Sequence, residues 1–283
     1  MEVRLASVGA PDRAVNEDFG FVVPGLVAVF DGVTAPEGLD TGCVHGPAWY
    51  VRHLATHLER GYVQAPDKML PDLLAEAIDQ TSADHGGRCD LSHPSTPAST
   101  VCLLRETAAA IEYLVLCDSP LVLEHGGEVE VITDGRHAAS VAQIRAEALA
   151  VRDAMDSPEH ADQLRQVLTK QREHTNQPGG YWIAAANPAA AHEAVTGAVT
   201  LRGPGRVRRA ALLTDGASCA VEEFELFGWR ELLDLLSTDG PLALIRQVRM
   251  AELEDYDGRA RPRYKRHDDA TAALCLFDGE DQA

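Results

Sequence analysis

Apolar and polar residues alternate with a period of two over residues 2–8. Short apolar runs at 19–23 and 26–31 then flank the turn residues Pro24-Gly25, so the chain opens with one strand followed by a hairpin. From Thr41 to about Arg60, and again from about Asp67 to Ser82, apolar residues recur at helical spacing. A polar loop from His85 to Pro97 precedes strands expected at about 99–105, 111–117 and 121–132, the last folded back at Gly126-Gly127. The period turns helical from Ala138 to about Glu173, with a break at Asp156-Ser157-Pro158-Glu159. There Ser157 is placed to cap a new helix, and Pro158 sits in its first turn, where a missing N–H costs nothing. Strands are expected again near 181–186, 195–201 and 207–214, helices over 218–237 and 241–255, and a last strand over 270–277. Strands at both ends and in the middle, with helices in blocks between them, predict an α+β arrangement of largely antiparallel sheets covered by helices.

Four carboxylates stand at the ends of these strand-like runs: Asp31 after Leu26–Phe30, Asp118 after Ile111–Cys117, Asp215 after Ala210–Thr214, and Asp268 before Ala270–Phe277. Any one of them marks no more than the point where an apolar strand gives way to polar residues. Together they point to one shared site. Carboxylates gathered at buried strand ends repel each other and lose hydration unless a cation compensates them, so the expectation is an Asp-rich divalent metal centre. Arg13-Ala14-Val15-Asn16-Glu17-Asp18 adds a guanidinium suited to phosphate oxygens and a carboxylate pair suited to a hydrated metal. In Phe30-Asp31-Gly32 and Thr214-Asp215-Gly216, glycine permits a tight turn and exposes a carbonyl oxygen to a hard cation. His267-Asp268-Asp269 puts two adjacent carboxylates at the mouth of the last strand.

Composition narrows the picture. The 283 residues, 45% hydrophobic and without a long Pro, Ser or Gly linker, predict one elaborated domain over 1–279 and a short disordered tail at 280–283. A net charge of −19 disfavours nucleic acid and anionic membranes as partners. The exception is the basic run Arg259, Arg261, Arg263, Lys265 and Arg266, read either as a solvated loop balancing nearby carboxylates or as a cationic rim for a phosphorylated substrate. The N-terminal residues lack the pattern of a secretion signal and no apolar stretch approaches membrane-spanning length, so a soluble, cytoplasmic protein is expected. Cys102, Cys117 and Cys275 lie in apolar runs and no C-x-x-C pair occurs, so free thiols are expected, with neither zinc nor disulfides.

Arg-x-x-Asn-Glu-Asp, Val-Phe-Asp-Gly, Ala98-Ser99-Thr100, Asp118-Ser119, Leu-Thr-Asp-Gly and Asp-Asp-Ala-Thr, in that order from Arg13 to Phe277, resemble the PPM-type (protein phosphatase 2C-like) metal-dependent serine/threonine phosphatases of bacterial type. The resemblance implies a four-layer α-β-β-α sandwich with two Mn²⁺ or Mg²⁺ ions and a phosphoserine- or phosphothreonine-bearing protein as partner. It implies that Asp31 bridges the metals and that the Gly32 carbonyl, Asp215 and Asp268 complete their shell. Glu17 and Asp18 would act through metal-bound waters, Arg13 would hold the substrate phosphate, and Asp118 would help bind a weaker third metal. Metals of this kind lower the pKa of a bound water, which then attacks phosphorus in line.

The sequence departs from the family at Val33, where many members carry the histidine that protonates the leaving group. It departs also in the Gly-poor continuation Val33-Thr34-Ala35-Pro36-Glu37-Gly38 and in Cys117-Asp118-Ser119-Pro120. Leaving-group protonation then falls to water or another residue. The variable helices and substrate-side flap of the family correspond to about 134–188. Its Tyr181 and Trp182 are read as packing residues in preference to substrate contacts. A phosphatase for small phosphate esters and a non-catalytic phospho-binding regulator stand as alternatives. His53 and His57 lack the glutamate of a zinc protease, and the dehalogenase-like reading of Asp31 fails at Val33.

Overall fold

The computed structural model describes residues 1–35, 38–150 and 157–277. The chain forms strands β1 (Glu2–Val8), β2 (Phe19–Val23) and β3 (Leu26–Gly32), then helices α1 (Pro47–Gln64) and α2 (Leu70–Asp84). Strands β4 (Ser99–Glu106), β5 (Ala110–Leu116), β6 (Leu121–His125) and β7 (Glu128–Ile132) precede α3 (Arg136–Ala150) and α4 (Pro158–Arg172). A short 3₁₀ turn leads into β8 (Val195–Thr200) and β9 (Val207–Leu213). Helices α5 (Asp215–Glu222), α6 (Trp229–Thr238) and α7 (Pro241–Glu254) follow, and β10 (Ala270–Leu276) closes the fold.

Two antiparallel five-stranded sheets result, in the orders β1-β10-β9-β6-β7 and β2-β3-β4-β5-β8. Strand β3 shows how sequence produces layers, because successive side chains of a strand point to opposite faces. Leu26, Ala28 and Phe30 pack against Tyr50, Leu54 and Leu58 of α1, while Val27 and Val29 meet Leu212, Ala273 and Cys275 of the other sheet. Helices α5 to α7 cover the outer face of that second sheet through Leu232, Leu236, Ile245 and Val248. The architecture is the expected α-β-β-α sandwich.

Three sequence expectations need correction. Helix α1 begins at Pro47 and not at Thr41, because Gly42 adopts φ +66° and Pro47 supplies the preset φ of a first helical turn. Residues 181–186 form no strand; isolated bridges Ser99↔Ala184 and Thr175↔Tyr181 hold them, and Asn176 Oδ1 accepts from Ile183 N. The stretch 218–237 splits into α5 and α6 around Glu225, whose φ of 51° cannot continue a helix. The Ser157 cap forms as expected, accepting from His160 N. Asp156, Pro36-Glu37 and the tail at 280–283 lie outside the described residues.

Leu212 is fully buried between the sheets. Leu212→Ala is expected to lower the unfolding free energy by about 2–5 kcal/mol in denaturant titration, through lost transfer energy and the cavity left behind.

Candidate active site

The carboxylates singled out in the sequence converge where the two sheets end. Asp31 is the penultimate residue of β3, Asp215 opens α5 directly after β9, Asp268 lies two residues before β10, and Asp18 immediately precedes β2. Asp31, Asp118, Asp215 and Asp268 face one cleft of about 810 Å³. Asp18 lies behind them, 5% exposed, and accepts a hydrogen bond from Thr214 Oγ1 at 2.8 Å.

Close backbone approach explains both Asp-Gly pairs. A Cβ on Gly216 would stand 1.9 Å from the Asp269 carbonyl oxygen, and one on Gly32 would stand 2.5 Å from the Glu17 carbonyl oxygen, so neither position has room for a side chain. Gly32 N donates to that same Glu17 oxygen at 3.1 Å. Asp269, read in the sequence only as the neighbour of Asp268, is a buried clamp: its carboxylate accepts from Ala10 N and Glu17 N, both at 2.7 Å. The N-terminal loop bearing Arg13 and Glu17 is thereby tied to the segment bearing Asp268. Arg249 secures that segment from below, donating to the Asp268 carbonyl oxygen and pairing with Glu252.

Burial and crowding raise the proton affinity of Asp18, Asp31 and Asp215. Burial pushes the Asp31 carboxyl well above the usual range, and repulsion from Asp215, Asp18 and Asp268 adds to it. Burial likewise raises Asp18, with Asp268 and Asp215 contributing, against hydrogen bonds from Thr214 and Thr271. Asp215 keeps an exposed surface in the cleft, yet the protein around it and then Asp268 push its carboxyl up to about 6. Asp31 and Asp215 are close enough to share a proton. Burial raises Glu17 too, while Thr34 and Arg13 oppose the shift.

Among the described residues, Lys265 is the cation set among these carboxylates. Its Nζ lies 2.6 and 2.9 Å from the two Asp268 oxygens and 3.2 Å from Thr34 Oγ1; burial lowers its pKa, but Asp268 and Asp215 outweigh that and hold it above the usual value. The basic run thus divides. Arg263 pairs with Asp255 at 2.9 Å, Arg261 with Glu225 at 2.6 Å, and Arg266 covers the Tyr256 ring, whereas Lys265 enters the site. Arg13 is engaged within the chain, donating to Glu17 Oε2 at 3.0 Å and Thr34 Oγ1 at 2.9 Å.

Asp118 stands apart from the other carboxylates and meets His137 at 2.7 Å, a residue of α3 that the sequence reading did not single out. His137 outweighs the local desolvation and holds the Asp118 carboxyl down to about 2. Cys117 adopts φ +70° just before it, turning the Asp118 carboxylate toward the cleft. Tyr181 lines the same cleft, buried and edge-on to His137 with ring centres 4.7 Å apart, and Trp182 packs against the core beside α1. His53 and His57 both meet Asp84 at 2.7 Å on the outer surface.

Hard oxygen donors that repel one another, with a single ammonium among them, are the chemistry that divalent cations such as Mn²⁺ or Mg²⁺ complement, and the residues present fit such a group.

No family model matches the sequence, and no curated protein matches it. Solved structures do. The PPM serine/threonine phosphatase MsPP of Mycobacterium smegmatis superposes with a TM-score of 0.54 at 18% identity, over 98% of this chain and 99% of that one. The catalytic domain of PstP, the Mycobacterium tuberculosis serine/threonine phosphatase, solved with two manganese ions, gives 0.55 at 14% over 98% of both chains. Stp1 of Staphylococcus aureus gives 0.58 at 14% over 98% of this chain and 95% of that one. At these identities the likeness is one of fold: the chain has the fold of the bacterial PPM serine/threonine phosphatases.

The raised Asp215 carboxyl sets a sign for stability. Its folded-state value near 6 exceeds the unfolded value near 3.8, so folding binds a proton in between, and the penalty of ionising it grows as pH rises from about 4 through 6. Asp215→Asn removes that penalty. Without divalent cations, the variant is expected to melt a few degrees above wild type at pH 7.5, the gap shrinking toward pH 4. Its accessible face in the cleft keeps the effect to about 1 kcal/mol or less.

Proposed function

We propose that this protein is a metal-dependent phosphatase that hydrolyses phosphoserine or phosphothreonine in proteins. The observation that carries the reading is the convergence of Asp31, Asp215 and Asp268 on one cleft of a PPM-type fold, with Asp18 buried behind them and the Asp18, Asp31 and Asp215 carboxyls all pushed above the usual range. Asp31, the Gly32 carbonyl, Asp215 and Asp268 would hold two divalent cations, with Glu17 and Asp18 beside them. When bound, such ions supply positive charge for the phosphoryl oxygens and a water acidic enough to act as nucleophile near neutral pH.

The remaining work falls to side chains of this chain. Arg13, released from Glu17, would take a phosphate oxygen in bidentate fashion. Arg145 and Arg172 on the cleft wall would offset part of the carboxylate charge there and, with the bound cations, favour an anionic substrate. His137, oriented by Asp118 and facing the cleft, would donate the proton to the departing serine or threonine oxygen, the role Val33 cannot fill. In this reading Asp118 serves as the orienting partner of His137, an alternative to its service at a third metal.

Lys265 favours a second reading. An ammonium already paired with Asp268 competes with a metal there, as suits a regulator that binds phosphorylated segments without turnover.

Turnover separates the two. With Mn²⁺, wild type is expected to hydrolyse a phosphopeptide and p-nitrophenyl phosphate, EDTA to abolish both, and folded Asp31→Asn and Asp215→Asn variants to lose at least about 10²-fold in kcat. Phosphopeptide binding by calorimetry without turnover under any divalent metal would establish the regulator. Faster turnover of metabolite phosphates than of phosphopeptides would move the substrate to small esters. His137→Gln is expected to slow the phosphopeptide by about 10²-fold and leave p-nitrophenyl phosphate, whose leaving group needs no proton, nearly unchanged.

A further inference from the structure

Beyond the carboxylate cleft, two loops distant in sequence bring together four side chains with metal-ligating chemistry. Cys43 and His45 lie in the loop entering α1; His85 caps the C-terminus of α2, and Cys89 follows in the loop toward β4. One ligand atom from each of the four lies within 4.8 Å of all the others. Cys43 Sγ and Cys89 Sγ each lie 3.6 Å from His45 Nδ1. A tetrahedral zinc site with Zn–S near 2.3 Å and Zn–N near 2.0–2.1 Å requires a sulfur-to-nitrogen edge of about 3.6 Å, the separation found twice here.

A second, independent observation comes from His85. Its side chain is 2% exposed, and its Nδ1 donates to the Thr81 carbonyl oxygen at 2.9 Å, which fixes the tautomer and leaves the lone pair on Nε2. That Nε2 is buried and has no hydrogen-bond partner among the described residues. Metal-bound histidines characteristically donate their other ring N–H to a backbone carbonyl in this way. Trp49 shelters the cluster, stacked on His45 with ring centres 3.9 Å apart and edge-on to His85 at 4.7 Å.

We propose that Cys43, His45, His85 and Cys89 form a structural zinc site. Two thiolates and two neutral imidazoles make a closed, charge-neutral shell for Zn²⁺, with no position left for a substrate, and binding releases the two thiol protons to solvent. The site replaces the expectation of thiols without zinc. Its purpose follows from what it joins. The loop leaving β3 and the loop entering β4 already touch through Asp90 N donating to the Gly42 carbonyl oxygen at 2.7 Å and Val33 N to that of Ala98 at 2.9 Å. Zinc staples these loops together at the end of the strand that carries Asp31.

The test is zinc content, by plasma mass spectrometry, of the full chain purified without an affinity tag that binds metal. One zinc per chain is expected, retained through an EDTA wash that strips Mn²⁺ and retained in Asp31→Asn. A Cys43→Ser, Cys89→Ser double variant should lose it and melt several degrees lower. Cobalt replacing zinc in wild type should give the intense d–d and thiolate charge-transfer absorption of a tetrahedral two-thiolate site. That readout needs no variant, so it decides the matter even if the double variant fails to fold. Folded, reduced wild type that takes up neither zinc nor cobalt overturns the proposal. So does a Cys43–Cys89 disulfide, seen as two hydrogens missing from the intact mass of anaerobically purified protein.

Discussion

Mutual repulsion among Asp18, Asp31, Asp215 and Asp268 is the constraint around which this fold is arranged. Carboxylates do not gather by themselves, so each must be delivered by an element too firmly packed to yield. Asp31 rides on β3, whose residues from Leu26 to Phe30 are fully buried between α1 and the second sheet. Asp215 is fixed by the turn from β9 into α5, and Asp268 by the backbone pairing of β10 with both its neighbours. The hydrophobic burial of two sheets and two helical layers supplies the free energy that holds like charges together.

Smaller devices refine the geometry. Asp269 receives two backbone N–H groups from the N-terminal loop, and Gly216 and Gly32 admit main chain where a methyl group would not fit. Lys265 offsets part of the charge from within. The loops 39–46 and 85–98 meet beside the end of β3, and a zinc shell of two cysteines and two histidines would add to the backbone hydrogen bond that already joins them.

Much of this was legible in the sequence. The period-two and helical runs, the motif order and the four strand-end carboxylates gave the layers and the cleft, because strand termini and Asp-Gly turns are local features. What escaped depends on chain segments distant in sequence. His137 meets Asp118 only after α3 folds back over the sheet end, and Lys265 could not be told from its basic neighbours until Arg261 and Arg263 had found Glu225 and Asp255. The Cys43-x-His45 and His85-x₃-Cys89 pairs are about forty residues apart and join only because α1 and α2 form an antiparallel hairpin. Residues 181–186 read as a strand because their apolar composition reflects burial, while their backbone follows the Asn176 turn.

The central claim is that the carboxylate cluster binds divalent cations in place of the Lys265 ammonium. Anomalous diffraction from crystals soaked in Mn²⁺ addresses it most directly. The account predicts two manganese peaks among Asp18, Asp31, Asp215 and Asp268, with Lys265 moved away from Asp268. Crystals that diffract well, show no anomalous density there and keep Lys265 paired with Asp268 would contradict it.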